Sequence, residues 1–191
     1  MRGDLTWGVI QKDLEGLSLE AISRSESVGP TEALFNLLLE TGGNATMLLF
    51  GIGEEDLRAA LKSPLSCIAS DSWVIAPSGG GKPHPRGYGT FPRFLRQAVR
   101  ERNELSWEEA LRKITSMPAE IAGIENRGKL KEGFWADMVV FDPDRIGDRA
   151  TFQDPHQFPE GIRHVMVNGE WVVKDGEPTG HRPGKVLRRG R

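Results

Sequence analysis

The stretch Leu65–Pro92 reads LSCIASDSWVIAPSGGGKPHPRGYGTFP, and the way it divides decides the fold. Leu65–Ala69 is an apolar run with the length and composition of a buried β-strand. The run breaks at Ser70-Asp71 into a loop rich in Gly and Pro that also carries Lys82, His84, Arg86 and Tyr88. A carboxylate at the carboxyl end of a buried strand, followed by a long polar loop, is where α/β proteins place their chemistry. Position alone leaves two readings of Asp71 open. It is either a cap for the turn after the strand, or a carboxylate in a cleft that relays a proton from a metal-bound water to a leaving group.

Upstream, the pattern becomes helical from Leu17, breaks near Gly29-Pro30, and resumes from Thr31 to about Thr41 with Leu34, Leu37 and Leu38 on one face. Pro30 before that helix and Gly42-Gly43 after it match the residue preferences of helix ends. Thr46–Phe50 (TMLLF) reads as a second buried strand and Glu54–Lys62 as a helix that stops before Pro64. Strand, helix and strand in that order, with continuous apolar strands, predict parallel strands covered on both faces.

Downstream, Phe91–Arg102 carries the stripe of an amphipathic helix, and Ser106-Trp107-Glu108-Glu109 is a capping box that opens another helix through about Ser116. Pro118 closes it, with a short helix expected over Ala119–Ala122. From Gly128 the character turns to β: Met138–Phe141 is a strand, and Arg163–Val167 and Glu170–Val173 flank Asn168-Gly169. Asn-Gly between two such runs is a strong hairpin signal, because both turn residues need positive φ. The expected organisation is an α/β body over residues 17–127, a small β domain over 128–187 and a basic tail over 188–191.

Composition narrows the function. With 25 basic and 27 acidic side chains the net charge is -2, which gives no electrostatic reason to expect nucleic acid or an acidic membrane as partner. The basic run from Arg182 to Arg191 reads as a solvated end. One cysteine, Cys67, excludes an internal disulfide and lies in an apolar run, as a small buried hydrophobe would. No apolar stretch is long enough to span a bilayer, and the start lacks the apolar segment of a signal peptide, so the expected location is cytoplasmic.

Three loop residues accompany Asp71 as candidates. Pro83 and Pro85 are expected to stiffen KPHPRGYG into an extended form, which would turn alternate residues His84, Arg86 and Tyr88 to one side. Arg86 could then grip a substrate carboxylate with both arms of its guanidinium. An equal alternative is that the three pin the loop. Ser78–Lys82 lacks the spacing of a phosphate loop. His84, His156, His164 and His181 are scattered with no HxH or HExxH pair, so a metal site is poorly supplied; His164 and His181 read as structural or exposed.

Five segments together (SDSWVIAP, GKPHPRGYGTFPRFL, LSWEEALRKITSMPAEIAGI, GKLKEGFWADMVVFDP and the run from Ala150 to Arg188) resemble the N-acyl-D-amino-acid deacylases, or D-aminoacylases, of the amidohydrolase superfamily. The resemblance covers about Leu17 to Leu187. It implies the last strands and helices of a zinc-dependent (β/α)₈ TIM-like barrel joined to part of a small β domain. It also implies hydrolysis of an N-acyl-D-amino acid to a carboxylate and a free D-amino acid. Asp71 matches the general base and acid beside the metal, and is the chain's one candidate metal ligand. His84, Arg86 and Tyr88 match a substrate-binding loop at the mouth of the site. Ser72 stands where the family usually has glycine.

A (β/α)₈ barrel needs about 250 residues, and the HxH motif and bridging ligand of the family are missing from these 191. The expectation is therefore the C-terminal portion of a deacylase. Such a portion should be inactive alone, not retain zinc, and depend on a complementary N-terminal chain or on self-association. The competing expectations are a non-catalytic remnant or assembly module, and a dihydroorotase- or hydantoinase-like amidohydrolase.

Overall fold

The computed structural model describes residues 5–8, 13–76 and 80–189. Ser78 and Gly79 of the glycine run, and Gly190 and Arg191 of the tail, lie outside the described residues. The chain divides into two compact units. The first holds the described residues up to Leu57 together with Ser72–Tyr88 and Ala150–Gln157; the second holds Arg58–Asp71, Gly89–Arg149 and Phe158 onward.

In the first unit, α1 (Leu19–Glu26) and α2 (Pro30–Glu40) form a helical hairpin. Ser18 caps α1 by accepting a hydrogen bond from the Ala21 amide at 3.1 Å, and Pro30 opens α2, whose first-turn amides need no partner within the helix. Leu19 and Ile22 of α1 meet Ala33 and Leu37 of α2 in a small core. Strand β1 (Leu5–Gly8) pairs antiparallel with β2 (Thr46–Leu49), Leu5 opposite Leu49 and Gly8 opposite Thr46. The expected parallel partner of Thr46–Phe50 was Leu65–Ala69, and the structure does not form that pair. Most of β2 is exposed, with Leu49 at 65%.

The second unit carries the larger core. Helix α3 (Glu54–Lys62) and helix α4 (Arg86–Phe94) both have residues in each unit. After α4 comes a π-helical segment, Leu95–Glu101. Pro92 inside α4 has no amide to donate, and the wider ladder that follows ends with the Arg102 amide on the Gln97 carbonyl at 3.0 Å. Phe94, Leu95, Ala98 and Val99 bury against Ala110 and Ile146. Helix α5 (Trp107–Ile114) begins at Ser106, whose hydroxyl accepts from the Glu109 amide at 3.2 Å as the capping box requires. Helix α6 (Ser116–Ala122) starts earlier than expected, because a proline in the first turn, here Pro118, costs no helical hydrogen bond.

The β region is a four-stranded antiparallel sheet in chain order: β3 (Met138–Phe141), β4 (Ile162–Val167), β5 (Glu170–Lys174) and β6 (Glu177–Pro178). The β4–β5 hairpin turns at Asn168-Gly169, with φ of 50° and 86°, the left-handed pair that Asn-Gly supplies at least cost. Gly161 is required for another reason. A Cβ there would sit 2.5 Å from the Ile146 amide nitrogen, so only glycine lets these backbones cross.

The largest correction concerns Leu65–Ala69. It is not a strand but irregular chain, with Leu65 88% exposed and Cys67 half-buried. A strand interior to a parallel sheet needs a neighbour on each side, and the described residues supply neither.

Candidate active site

Asp71 lies in the second unit, three residues beyond Ile68. It is exposed, and its backbone sits in the left-handed region at φ 47°. Aspartate tolerates that conformation better than most residues. Ser72, which stands where the family usually has glycine, is absent from the positive-φ residues, so the turn's left-handed step falls on Asp71 itself.

The chain leading to Asp71 is anchored at Lys113 of α5. The Ile68 amide donates to the Lys113 carbonyl at 3.1 Å. The Lys113 ammonium donates to the Ser63 carbonyl, to the Ser66 carbonyl at 2.8 Å and to the Ser66 hydroxyl at 3.2 Å. Nothing in the sequence marked this lysine, since a lysine on an amphipathic helix ordinarily points to solvent.

The loop residues belong to the first unit. The expected extended alternation of His84, Arg86 and Tyr88 is corrected: α4 begins at Arg86, so Arg86 and Tyr88 stand two residues apart on a helix, about 200° around its axis, and do not share a side. Pro85 just ahead of the helix acts as an N-terminal residue rather than as a stiffener of extended chain. His84 accepts the Arg86 amide at Nδ1, at 3.0 Å, so its neutral ring carries the proton at Nε2. That ring stands edge-on to Phe152 with centroids 5.0 Å apart, and Phe152 in turn meets Phe50 at 4.7 Å.

His156 joins this loop from Ala150–Gln157. Its Nε2 lies 3.0 Å from the Gly81 carbonyl, which can only accept, so Nε2 is the protonated nitrogen. In the neutral ring Nδ1 then accepts from the Tyr88 hydroxyl at 2.9 Å. No short stretch of sequence pairs His156 with Tyr88, because the link spans 68 residues of chain. Ser72 also borders the loop: a Cβ on Gly87 would lie 2.7 Å from the Ser72 Oγ, so any side chain there would make Ser72 move. His164 instead accepts the Asp175 amide at 3.1 Å beside Trp171, and His181 is exposed.

Zinc chemistry requires nitrogen, sulfur or oxygen ligands converging on one point. Among the described residues no three His, Cys, Asp or Glu side chains gather in that way, so they do not make a complete zinc site. No helix among them is long and apolar enough to cross a membrane.

Solved structures resolve what the arrangement belongs to. A crystal structure of D-aminoacylase superposes with a TM-score of 0.86 at 33% identity, covering 99% of this chain and 38% of that one. N-acyl-D-glutamate deacylase from Bordetella bronchiseptica, solved with zinc and a phosphonate inhibitor, gives a TM-score of 0.83 at 33% identity, over 97% of this chain and 37% of its own. By sequence, N-acyl-D-glutamate deacylase of Alcaligenes xylosoxydans xylosoxydans is 36% identical over 185 residues, 97% of this chain and 36% of the relative. N-acyl-D-aspartate deacylase of the same organism is 42% identical over 147 residues, 76% and 28% of the two chains. The chain thus spans between 28% and 38% of the length of these relatives and structures, so it corresponds to a portion of them, as expected. Residues 16–173 match the Amidohydrolase family as a whole, and with most of its length aligned in this way the chain belongs to that family.

Proposed function

We propose that the chain is the Asp71-bearing portion of a zinc-dependent N-acyl-D-amino-acid deacylase. The observation that carries this reading is the alignment, over 76–97% of this chain, with proteins named N-acyl-D-glutamate deacylase, N-acyl-D-aspartate deacylase and D-aminoacylase. Asp71 is the residue of this chain that would reach the zinc, and the other ligands would come from the part of the fold this chain does not span. When bound, the metal polarises the amide carbonyl and makes water acidic.

Asp71 accepts the proton of the attacking water as its oxygen adds to the amide carbon. It then returns that proton to the nitrogen as the C–N bond breaks, giving a carboxylate and a free D-amino acid. Arg86 takes the substrate's carboxylate as a paired ionic hydrogen bond. His84 sits beside it, its ring turned by the bond from the Arg86 amide to Nδ1. Tyr88 has committed its proton to His156, so toward substrate its oxygen serves as an acceptor. On this reading the chain alone is inactive.

The test is an assay on N-acetyl-D-glutamate, N-acetyl-D-aspartate and N-acetyl-D-methionine, using the chain joined to the metal-bearing portion of a relative. Asp71→Asn should lower kcat by about 10²- to 10⁴-fold with KM nearly unchanged. Arg86→Met should chiefly raise KM, by roughly ten- to a hundredfold. Full turnover in the Asp71→Asn protein would remove Asp71 from the chemistry.

A further inference from the structure

Lys113 has no exposed surface. A buried ammonium ordinarily sits against a carboxylate, because leaving water is costly for a charge. Here the three N–H groups are instead met by two backbone carbonyls, of Ser63 and Ser66, and by the Ser66 hydroxyl. The Ser66 hydroxyl spends its own proton on the Ala60 carbonyl at 2.5 Å, inside the last turn of α3. Carbonyls at a helix C-terminus carry partial negative charge, so the cation is placed where α3 favours it.

The cradle has a consequence for the chain that follows. Ser63 and Ser66 bound to the ammonium, and Ile68 bound to the carbonyl of the same residue, fix Ser63–Ile68 at both its ends. Leu65–Ala69 has no strand partner among the described residues, so this clamp does what a sheet ladder would otherwise do. Three residues on, the chain reaches Asp71.

We propose that Lys113 is a positioning residue for Asp71: its buried ammonium holds the Ser63–Ile68 segment and so sets where the Asp71 carboxylate is delivered. The functional half of this rests on Asp71 being the proton-transfer group. The clamp itself does not.

Amide hydrogen exchange on the full chain tests the clamp. Lys113→Met, of similar length but uncharged, should speed exchange at Ser66 and Ile68 by about tenfold or more. Amides of the α1–α2 hairpin and of β4–β5 should stay within about twofold. Unchanged Ser66 and Ile68 rates would overturn the proposal. Should Lys113→Met not fold, Ser66→Ala decides in its place. It should raise the Ile68 rate about threefold or more, and an unchanged rate overturns the clamp.

The positioning role is read in the chain joined to its metal-bearing portion. Lys113→Met should lower kcat about tenfold at constant KM and displace the acidic limb of the kcat–pH profile, with Lys113→Arg restoring little because a planar fork does not fit a three-acceptor cradle. Loss of folded protein alone would lower the amplitude without moving that limb, and such a result overturns positioning. An inactive wild-type assembly would sink the deacylase reading while leaving the exchange result to judge the clamp.

Discussion

The C-terminal sheet and the apolar runs Thr46–Phe50 and Leu65–Ala69 have similar local sequences and opposite fates. Strands β3 to β6 find every partner within 41 residues of chain and assemble in order. The two apolar runs do not find each other. Thr46–Leu49 pairs with Leu5–Gly8, and Leu65–Ala69 makes no ladder and is held by a lysine. The lesson is that an apolar run specifies a strand only when its neighbours are present, whereas a hairpin carries its neighbour with it.

The largest effect should come from the self-sufficient region. Gly161→Ala puts a methyl group against the Ile146 backbone and a side chain at φ +83°, so it should cost at least about 2 kcal/mol and lower Tm by roughly 4–8 °C. A Tm unchanged by Gly161→Ala would mean that the sheet is not tied to the core at Ile146.

Asn168→Ala comes next. It removes the bonds from Arg127 at 2.5 Å and to the Pro183 carbonyl at 2.6 Å, and it loses the residue best suited to the turn. A urea titration should show a loss of about 1–2 kcal/mol.

The hairpin was legible because Asn-Gly is a two-residue signal, and the Ser106 cap because it spans four residues. The rest depended on contacts that no short window contains. The helix expected from Phe91 starts at Arg86, because Gly87 and Gly89 weaken the helical signal, yet each glycine answers a close approach, to Ser72 and to Asp148. Tyr88–His156 and Lys113–Ser66 join residues 68 and 47 apart. Asp71 was legible as a candidate carboxylate, while the lysine that holds its approach was not.

The apolar runs offer the reverse test. Leu49→Ser and Leu65→Ser alter exposed side chains, so each should move the stability of the chain by less than about 0.5 kcal/mol. Joined noncovalently to a metal-bearing portion, each should weaken association by about tenfold, as loss of a buried leucine would. If binding is indifferent to both, the exposed runs are not the faces that portion covers.

The smallest effect is electrostatic. Arg58 beside Glu104, Arg112 beside Glu109 and Lys129 beside Glu120 hold these carboxyls below their ordinary value of 4.5. A carboxyl lowered on folding contributes stability above its unfolded value and loses it as pH falls through the folded value. Acid should therefore weaken the second unit only below about pH 4.5, and Glu104→Gln should flatten that slope slightly in a urea titration.

The central claim is that Asp71 is half of a site whose metal-binding half lies elsewhere in the fold. Turnover of an N-acetyl-D-amino acid, with zinc supplied, measured for the chain alone and for the chain joined to the metal-bearing portion of a relative, tests it most directly. The account predicts turnover in the joined protein and none in the chain. Zinc-dependent turnover by the chain alone, abolished by Asp71→Asn, would contradict it.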